Sequence, residues 1–224
     1  MLVHLKGILT AEQVAACRVA LGGARWLDGR VSAGPAAAGV KHNTEADLTD
    51  ATVRQWSETI RLALGAHPGF MASALPARIC PPSFNRYSGG QTYGEHNDSA
   101  LLEFGGTWVR NDLAATLFLS PPEEYDGGEL LIHDTFGPQS VKLPAGDIVL
   151  YPASSQHEVR PVTRGTRIAS YFWIQSLVRD DTHRRLLREL DASIRQLRQD
   201  SPGTAAAVNL LGLYHNLLRL WADT

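Results

Sequence analysis

Asn85-Arg-Tyr-Ser-Gly-Gly-Gln-Thr-Tyr-Gly-Glu-His-Asn-Asp98 places a glycine turn and two tyrosines, Tyr87 and Tyr93, directly before a His-x-Asp step. Residues i and i+2 of a β-strand project to the same face, so His96 and Asp98 can offer one imidazole and one carboxylate to a single ion. A second stretch answers it downstream. Pro144-Ala-Gly-Asp-Ile-Val-Leu-Tyr-Pro-Ala-Ser-Ser-Gln-His157 reads as turn, short apolar strand, turn and histidine. His157 stands 59 positions after Asp98. Two neutral imidazoles and one carboxylate cover one face of an octahedron and leave its other positions open to small ligands. An isolated His-x-Asp arises easily by chance in a chain with eight histidines. The two matched contexts give this one its weight.

Arg167 follows His157 by ten positions. A guanidinium fork one strand beyond the last candidate ligand is suited to grip a carboxylate through two parallel hydrogen bonds. A metal with open positions and a carboxylate clamp at that offset predict a small carboxylic acid bound between them.

Asn85 to Asp98, Tyr125-Asp-Gly-Gly-Glu-Leu130, Leu143-Pro-Ala-Gly-Asp147, Leu150-Tyr-Pro152 and His157 through Gln175 resemble the PKHD-type hydroxylases, bacterial Fe(II)/2-oxoglutarate dioxygenases related to prolyl 4-hydroxylases. The similarity runs nearly end to end, from Trp26 and Lys41-His-Asn43 to Tyr214-His-Asn-Leu-Leu218. It implies a mainly β chain with a double-stranded β-helix, or jelly roll, at its core. It also implies His96, Asp98 and His157 as iron ligands, Arg167 as the anchor of 2-oxoglutarate, Tyr87 beside that cosubstrate, and ascorbate as a reductant. The implied reaction couples decarboxylation of 2-oxoglutarate to hydroxylation of a substrate: a peptidyl or free amino acid, or a siderophore-related molecule. Two departures stand out: His96-Asn97-Asp98-Ser99 where relatives often read His-Val-Asp-Asn, and Leu117 near where some prolyl hydroxylases carry a tyrosine that supports the cosubstrate arginine. The same ligand set also suits a non-catalytic cupin-like metal-binding sensor, or a zinc site that activates water. Neither needs the clamp that Arg167 offers.

Composition fits a single catalytic core. A chain of 224 residues with 44% hydrophobic content is long enough to bury one. The formal net charge of −2 provides no long-range field to draw in nucleic acid or an anionic membrane. No apolar run approaches the ~18 residues a membrane span needs, so a cytoplasmic location is expected. Cys17 and Cys80 are expected to be buried, reduced thiols, since only two cysteines occur and they lie far apart.

Three stretches are expected along the chain: an N-terminal helical and irregular segment over 1–76, the jelly roll over 77–178, and a helical extension over 179–224. Thr10-Ala-Glu-Gln13 has the form of a capping box, with Val14, Cys17 and Leu21 on one helical face. Residues 27–43, rich in Gly, Ala and Ser, read as irregular, and Val53, Trp56 and Ile60 mark a second helix. The β core is expected to begin near Ala77, with short strands at 117–119, 130–132, 148–151 and 168–174. After Ser176 the period changes. Leu186, Leu187, Leu190, Ile194 and Leu197 form one helical stripe, Ser201-Pro-Gly203 breaks it, and Leu210, Leu211, Tyr214, Leu217, Leu218 and Trp221 form another. That last stripe packs on the jelly roll or joins a second subunit into a homo-oligomer.

Tyr93, Trp108 and Arg110 are candidates for the substrate rim. His133 and Asp134 are adjacent on a strand, face opposite sides, and cannot readily share an ion.

Overall fold

The computed structural model describes residues 1–34, 37–134 and 137–223. In chain order its strands and helices are β1 (Val3–Leu5), α1 (Ala11–Gly22), β2 (Trp26–Asp28), β3 (Lys41–His42), β4 (Thr44–Ala46), α2 (Ala51–Ala66), α3 (Pro68–Ala74), β5 (Pro76–Ile79), β6 (Ser83–Ser88), β7 (Thr92–His96), β8 (Leu101–Phe104), β9 (Thr107–Arg110), β10 (Leu113–Phe118), β11 (Tyr125–Gly127), β12 (Leu130–Asp134), β13 (Gly137–Val141), β14 (Ile148–Pro152), β15 (His157–Val159), β16 (Val162–Ser176), α4 (Asp181–Asp200) and α5 (Ala205–Trp221).

The strands form two antiparallel sheets. The larger runs β1-β14-β10-β16-β6-β4-β2, with β5 and β11 also paired to β16; the smaller runs β13-β12-β15-β7-β3. β8 and β9 make a separate hairpin. The alternation of side chains along each strand sorts the interior into two cores. On β10 and β14, Leu113, Ala115, Leu117, Ile148 and Leu150 join Val14, Cys17, Leu21, Val53, Ile60 and Phe70 beneath the N-terminal helices. Their neighbours Ala114, Phe118, Val149 and Tyr151 belong instead to the core that includes Leu130, Ile132 and Val159 of the smaller sheet. β10 is therefore buried along its whole length. Cys17 and Cys80 are buried free thiols, pushed up to about 12 and about 11 by that burial.

The expected helices form, and Thr10 and Gln13 close the capping box that starts α1. The first strands differ from expectation. β1, β2 and β4 extend the larger sheet and β3 extends the smaller one, so the β structure begins at Val3 rather than near Ala77. These pieces are two or three residues long, too short for a period-2 pattern to register, and backbone pairing with β14, β6 and β7 holds them. Within the stretch 27–43, short 3₁₀ turns accompany the strands, while residues 35 and 36 lie outside the described residues.

At the C-terminal end, α4 and α5 pack on each other and around Leu75 and Val178. Leu187, Tyr214, Leu217, Leu218 and Trp221 form a third apolar cluster there, and the Trp221 indole stacks on His183. Val208, Leu213 and Leu220 of α5 remain exposed. No helix among the described residues is long and apolar enough to cross a membrane.

Candidate metal centre and cosubstrate pocket

His96 closes β7 and His157 opens β15, and the register sets the two histidines directly opposite each other. Their ring centroids are 4.3 Å apart. Each ring is held by its own backbone. Nδ1 of His96 lies 2.8 Å from the Gly94 carbonyl oxygen, and Nδ1 of His157 lies 3.0 Å from that of Ser155. A carbonyl oxygen can only accept, so both Nδ1 atoms donate, which in a neutral imidazole leaves the lone pair on Nε2. Asp98 brings a carboxylate oxygen to 4.0 Å from His157 Nε2. One ligand atom from each of His96, Asp98 and His157 lies within 4.8 Å of the others.

The local backbone differs from a continuous strand. β7 ends at His96, and Asp98 stands in the unpaired segment after it. The carboxylate comes from the irregular segment just beyond the strand rather than from a second position on the strand's face. Burial lowers His96 to about 4, with His157 acting in the same direction, so the ring is neutral and able to ligate. Burial raises the Asp98 carboxyl, while His157, Trp173 and Lys41 draw it back. A carboxylate buried among these groups is the kind that a cation would stabilise.

Behind the triad lies a cavity of about 270 Å³. At one wall the Arg167 guanidinium, 1% exposed, sits 5.4 Å from the Tyr87 ring centroid and 5.3 Å from that of Phe118. Among the described residues its one well-formed hydrogen bond runs from Nη1 to Asn85 Oδ1 at 3.4 Å, and its buried Nε has no partner. No carboxylate pairs with it among the described residues. The buried Tyr125 hydroxyl has no well-formed hydrogen bond among the described residues, and the Arg167 guanidinium lies close enough to draw its pKa down against burial. A buried cation short of acceptors, beside an unsatisfied hydroxyl, is a cradle for an anion. Gly128, at φ +67°, makes room for it: a Cβ there would lie 3.1 Å from Arg167 Cδ.

Tyr87 and Tyr93 line the same cavity as the triad and Arg167. Tyr93 is stacked on His96 at 3.6 Å between centroids. Trp108 and Arg110 are elsewhere. Trp108 is 65% exposed on the β8–β9 hairpin and is not among the cavity-lining residues, although Leu102 of the same hairpin is. Arg110 is paired with Asp112 and Asp223 and donates to the Ser176 carbonyl, which makes it a tie between the hairpin and the chain's last residues. Leu117 faces the helix-side core, so the groups near Arg167 come from Asn85, Tyr87 and Tyr125 instead. Sequence reading also passed over Lys41, Glu45, Tyr171 and Trp173, which line the cavity too. A second set of ligand atoms, from Glu95 of β7, His133 of β12 and Glu158 of β15, meets on the same sheet; Glu158 is paired with Arg160.

The 2OG-Fe(II) oxygenase superfamily matches residues 82–175 and the PKHD-type hydroxylase C-terminal domain matches residues 181–223. A PKHD-type hydroxylase of Stenotrophomonas maltophilia strain R551-3 is 52% identical over 224 residues, covering 100% of both chains. A prolyl-4-hydroxylase of Pseudomonas putida superposes with TM-score 0.51 at 20% identity, over 78% of this chain and 92% of that one. HygX of Streptomyces hygroscopicus, solved with nickel and 2-oxoglutarate, gives 0.54 at 15% identity, over 78% and 82%. The chain belongs to the PKHD-type hydroxylases, enzymes that depend on Fe(II) and 2-oxoglutarate.

Proposed function

We propose that His96, Asp98 and His157 hold the Fe(II), that Arg167 anchors the distal carboxylate of 2-oxoglutarate with Tyr87 beside it, and that the substrate is a peptidyl or free amino acid or a siderophore-related molecule. One observation carries this reading: three convergent ligand atoms and an acceptor-poor buried guanidinium share a single cavity. The two sheets are read as the faces of a jelly roll, extended by the N-terminal strands and followed by a separate helical unit from residue 179.

Iron and 2-oxoglutarate, when bound, would let dioxygen act as the oxidant, one of its oxygen atoms ending in succinate as carbon dioxide leaves 2-oxoglutarate and the other in the hydroxylated product. The residues supply placement. The carbonyls of Gly94 and Ser155 fix both imidazole tautomers before any metal arrives. Tyr93 limits rotation of the His96 ring by stacking on it. Arg167 fixes one end of the cosubstrate, so its 2-oxo acid end is directed toward the triad. Tyr87, Tyr151 and Phe118, all buried, keep that end of the cavity dry.

Anaerobic addition of Fe(II) and 2-oxoglutarate is expected to give a weak visible charge-transfer band. Folded protein without that band would refute the site assignment. Substrate candidates are then screened for a mass gain of one oxygen coupled to succinate formation.

A further inference from the structure

The cavity wall contains an ion pair that neither the triad nor Arg167 requires. Lys41 is 4% exposed and Glu45 8% exposed, and both line the cavity together with Ser32 and Tyr171. Lys41 Nζ donates to Glu45 Oε1 and, at 2.7 Å, to Ser32 Oγ. The Tyr171 hydroxyl donates to the same Glu45 oxygen at 2.7 Å. Taking two charges out of water is costly, and an apolar pair of similar volume would hold these elements together at least as well. A purely structural clamp leaves this choice of residues unexplained.

Counting donors and acceptors shows what is spare. Glu45 Oε1 receives both hydrogen bonds, and Oε2 receives none among the described residues. An ammonium has three N–H donors, and Lys41 commits two of them. The wall thus has an open acceptor next to an open donor. The pair is neutral as a unit, so it gives little net attraction to a cation or an anion. A neutral group that both donates and accepts matches it. The position is right for a substrate as well. The Lys41 ammonium lies 5.1 Å from the Tyr93 ring centroid, and Tyr93 is the ring stacked on His96. Arg167 makes its own contacts with Tyr87, Phe118 and Asn85, and Asn85 is the residue that the register sets opposite Glu45, so the pair adjoins the cosubstrate end on one side and Tyr93 on the other.

We propose that Lys41 and Glu45 form a substrate subsite that binds an amide: a side-chain carboxamide or backbone peptide unit donates N–H to Glu45 Oε2 and accepts from Lys41 Nζ. The inference rests on the cavity being the active site, and it narrows the substrate to molecules bearing an amide near the carbon that is oxidised.

The test uses the full chain loaded with Mn(II) and saturated with 2-oxoglutarate, and reads paramagnetic relaxation of probe protons by NMR. The probes are propionamide, propylammonium and propionate. Propionamide should be relaxed most. In the Lys41→Met/Glu45→Gln double variant, which leaves no buried unpaired charge and replaces the open acceptor with a donor, propionamide binding should weaken roughly ten-fold. The 2-oxoglutarate methylene protons should relax as in the wild type. Equal or stronger relaxation of either charged probe in the wild type overturns the subsite, and so does undiminished propionamide relaxation in a folded double variant. The wild-type ranking needs no variant and decides the matter if the double variant does not fold. Absence of 2-oxoglutarate relaxation in the wild type overturns the active-site reading itself, and the subsite with it.

Discussion

Replacing Arg167 separates a cosubstrate anchor from a structural cation. The guanidinium is 1% exposed, makes one long hydrogen bond to Asn85 at 3.4 Å, and leaves Nε unpaired. In the free protein it therefore contributes little beyond packing on Tyr87 and Phe118. Arg167→Met keeps most of that packing and removes a desolvated charge, so apoprotein stability should hold or rise. Binding of 2-oxoglutarate should suffer. A charge-assisted, desolvated carboxylate contact contributes about 2–4 kcal/mol, which corresponds to roughly 30- to 1000-fold weaker binding. Arg167→Lys should recover only part, because an ammonium retains the charge without the planar fork. The assay is anaerobic titration of iron-loaded protein by the charge-transfer band, alongside thermal unfolding of the apoprotein. Wild-type affinity in Arg167→Met refutes the anchor. A large loss of apoprotein stability shows that the cation holds the fold instead.

His96→Ala, Asp98→Ala and His157→Ala should each lose iron while keeping the fold, since each removes one of three protein ligands; iron stoichiometry measured with circular dichroism decides it, and full iron in any variant removes that residue from the triad. Gly128→Ala should cost about 1–3 kcal/mol, because its Cβ would lie 2.8 Å from Val162 Cγ2 and 3.1 Å from Arg167 Cδ on a backbone at φ +67°; the 2-oxoglutarate affinity should fall with the stability, and an unchanged melting temperature refutes the steric account. Deleting residues 204–224 should uncover Leu75, Val178 and Leu187 and destabilise the protomer by several kcal/mol. Light scattering on the same samples tests the exposed face of α5, which includes Val208, Leu213 and Leu220: a lower mass after deletion assigns it to a subunit interface.

Much of the site was legible because its chemistry is carried by rare residue types at fixed spacing. His96, Asp98, His157 and Arg167 could be singled out from side-chain chemistry and spacing, whereas the expected strands at 148–151 and 168–174 stopped short of His157 and Arg167, which lie on β15 and in the first half of β16. What could not be read has two physical origins. Strands of two or three residues, such as β3 and β4, owe their conformation to partners far away in the chain, and no local pattern encodes that pairing. Lys41 and Glu45 had the opposite problem. Charged residues in a Gly- and Ala-rich region look like solvated loop, and only the tertiary structure shows that they are buried against Tyr93 and Tyr171. Trp108 and Arg110 stand on the β8–β9 hairpin, whose Leu102 lines the cavity while they do not.

Arg167 sits on β16, whose residues 166–171 pair with β6 and residues 169–174 with β10. Asp98 follows the last residue of β7, in a segment with no ladder partner and with Asn97 and Ser99 exposed. These two ends of one cavity open at different free energies. The amides of residues 167–174 should exchange with deuterium only on unfolding of the whole domain, whereas the Asp98 segment should need only a local fluctuation. A chelator can therefore strip the metal from a protein that remains folded, at a rate insensitive to low urea, and the apoprotein left behind still has its guanidinium in place to receive a carboxylate.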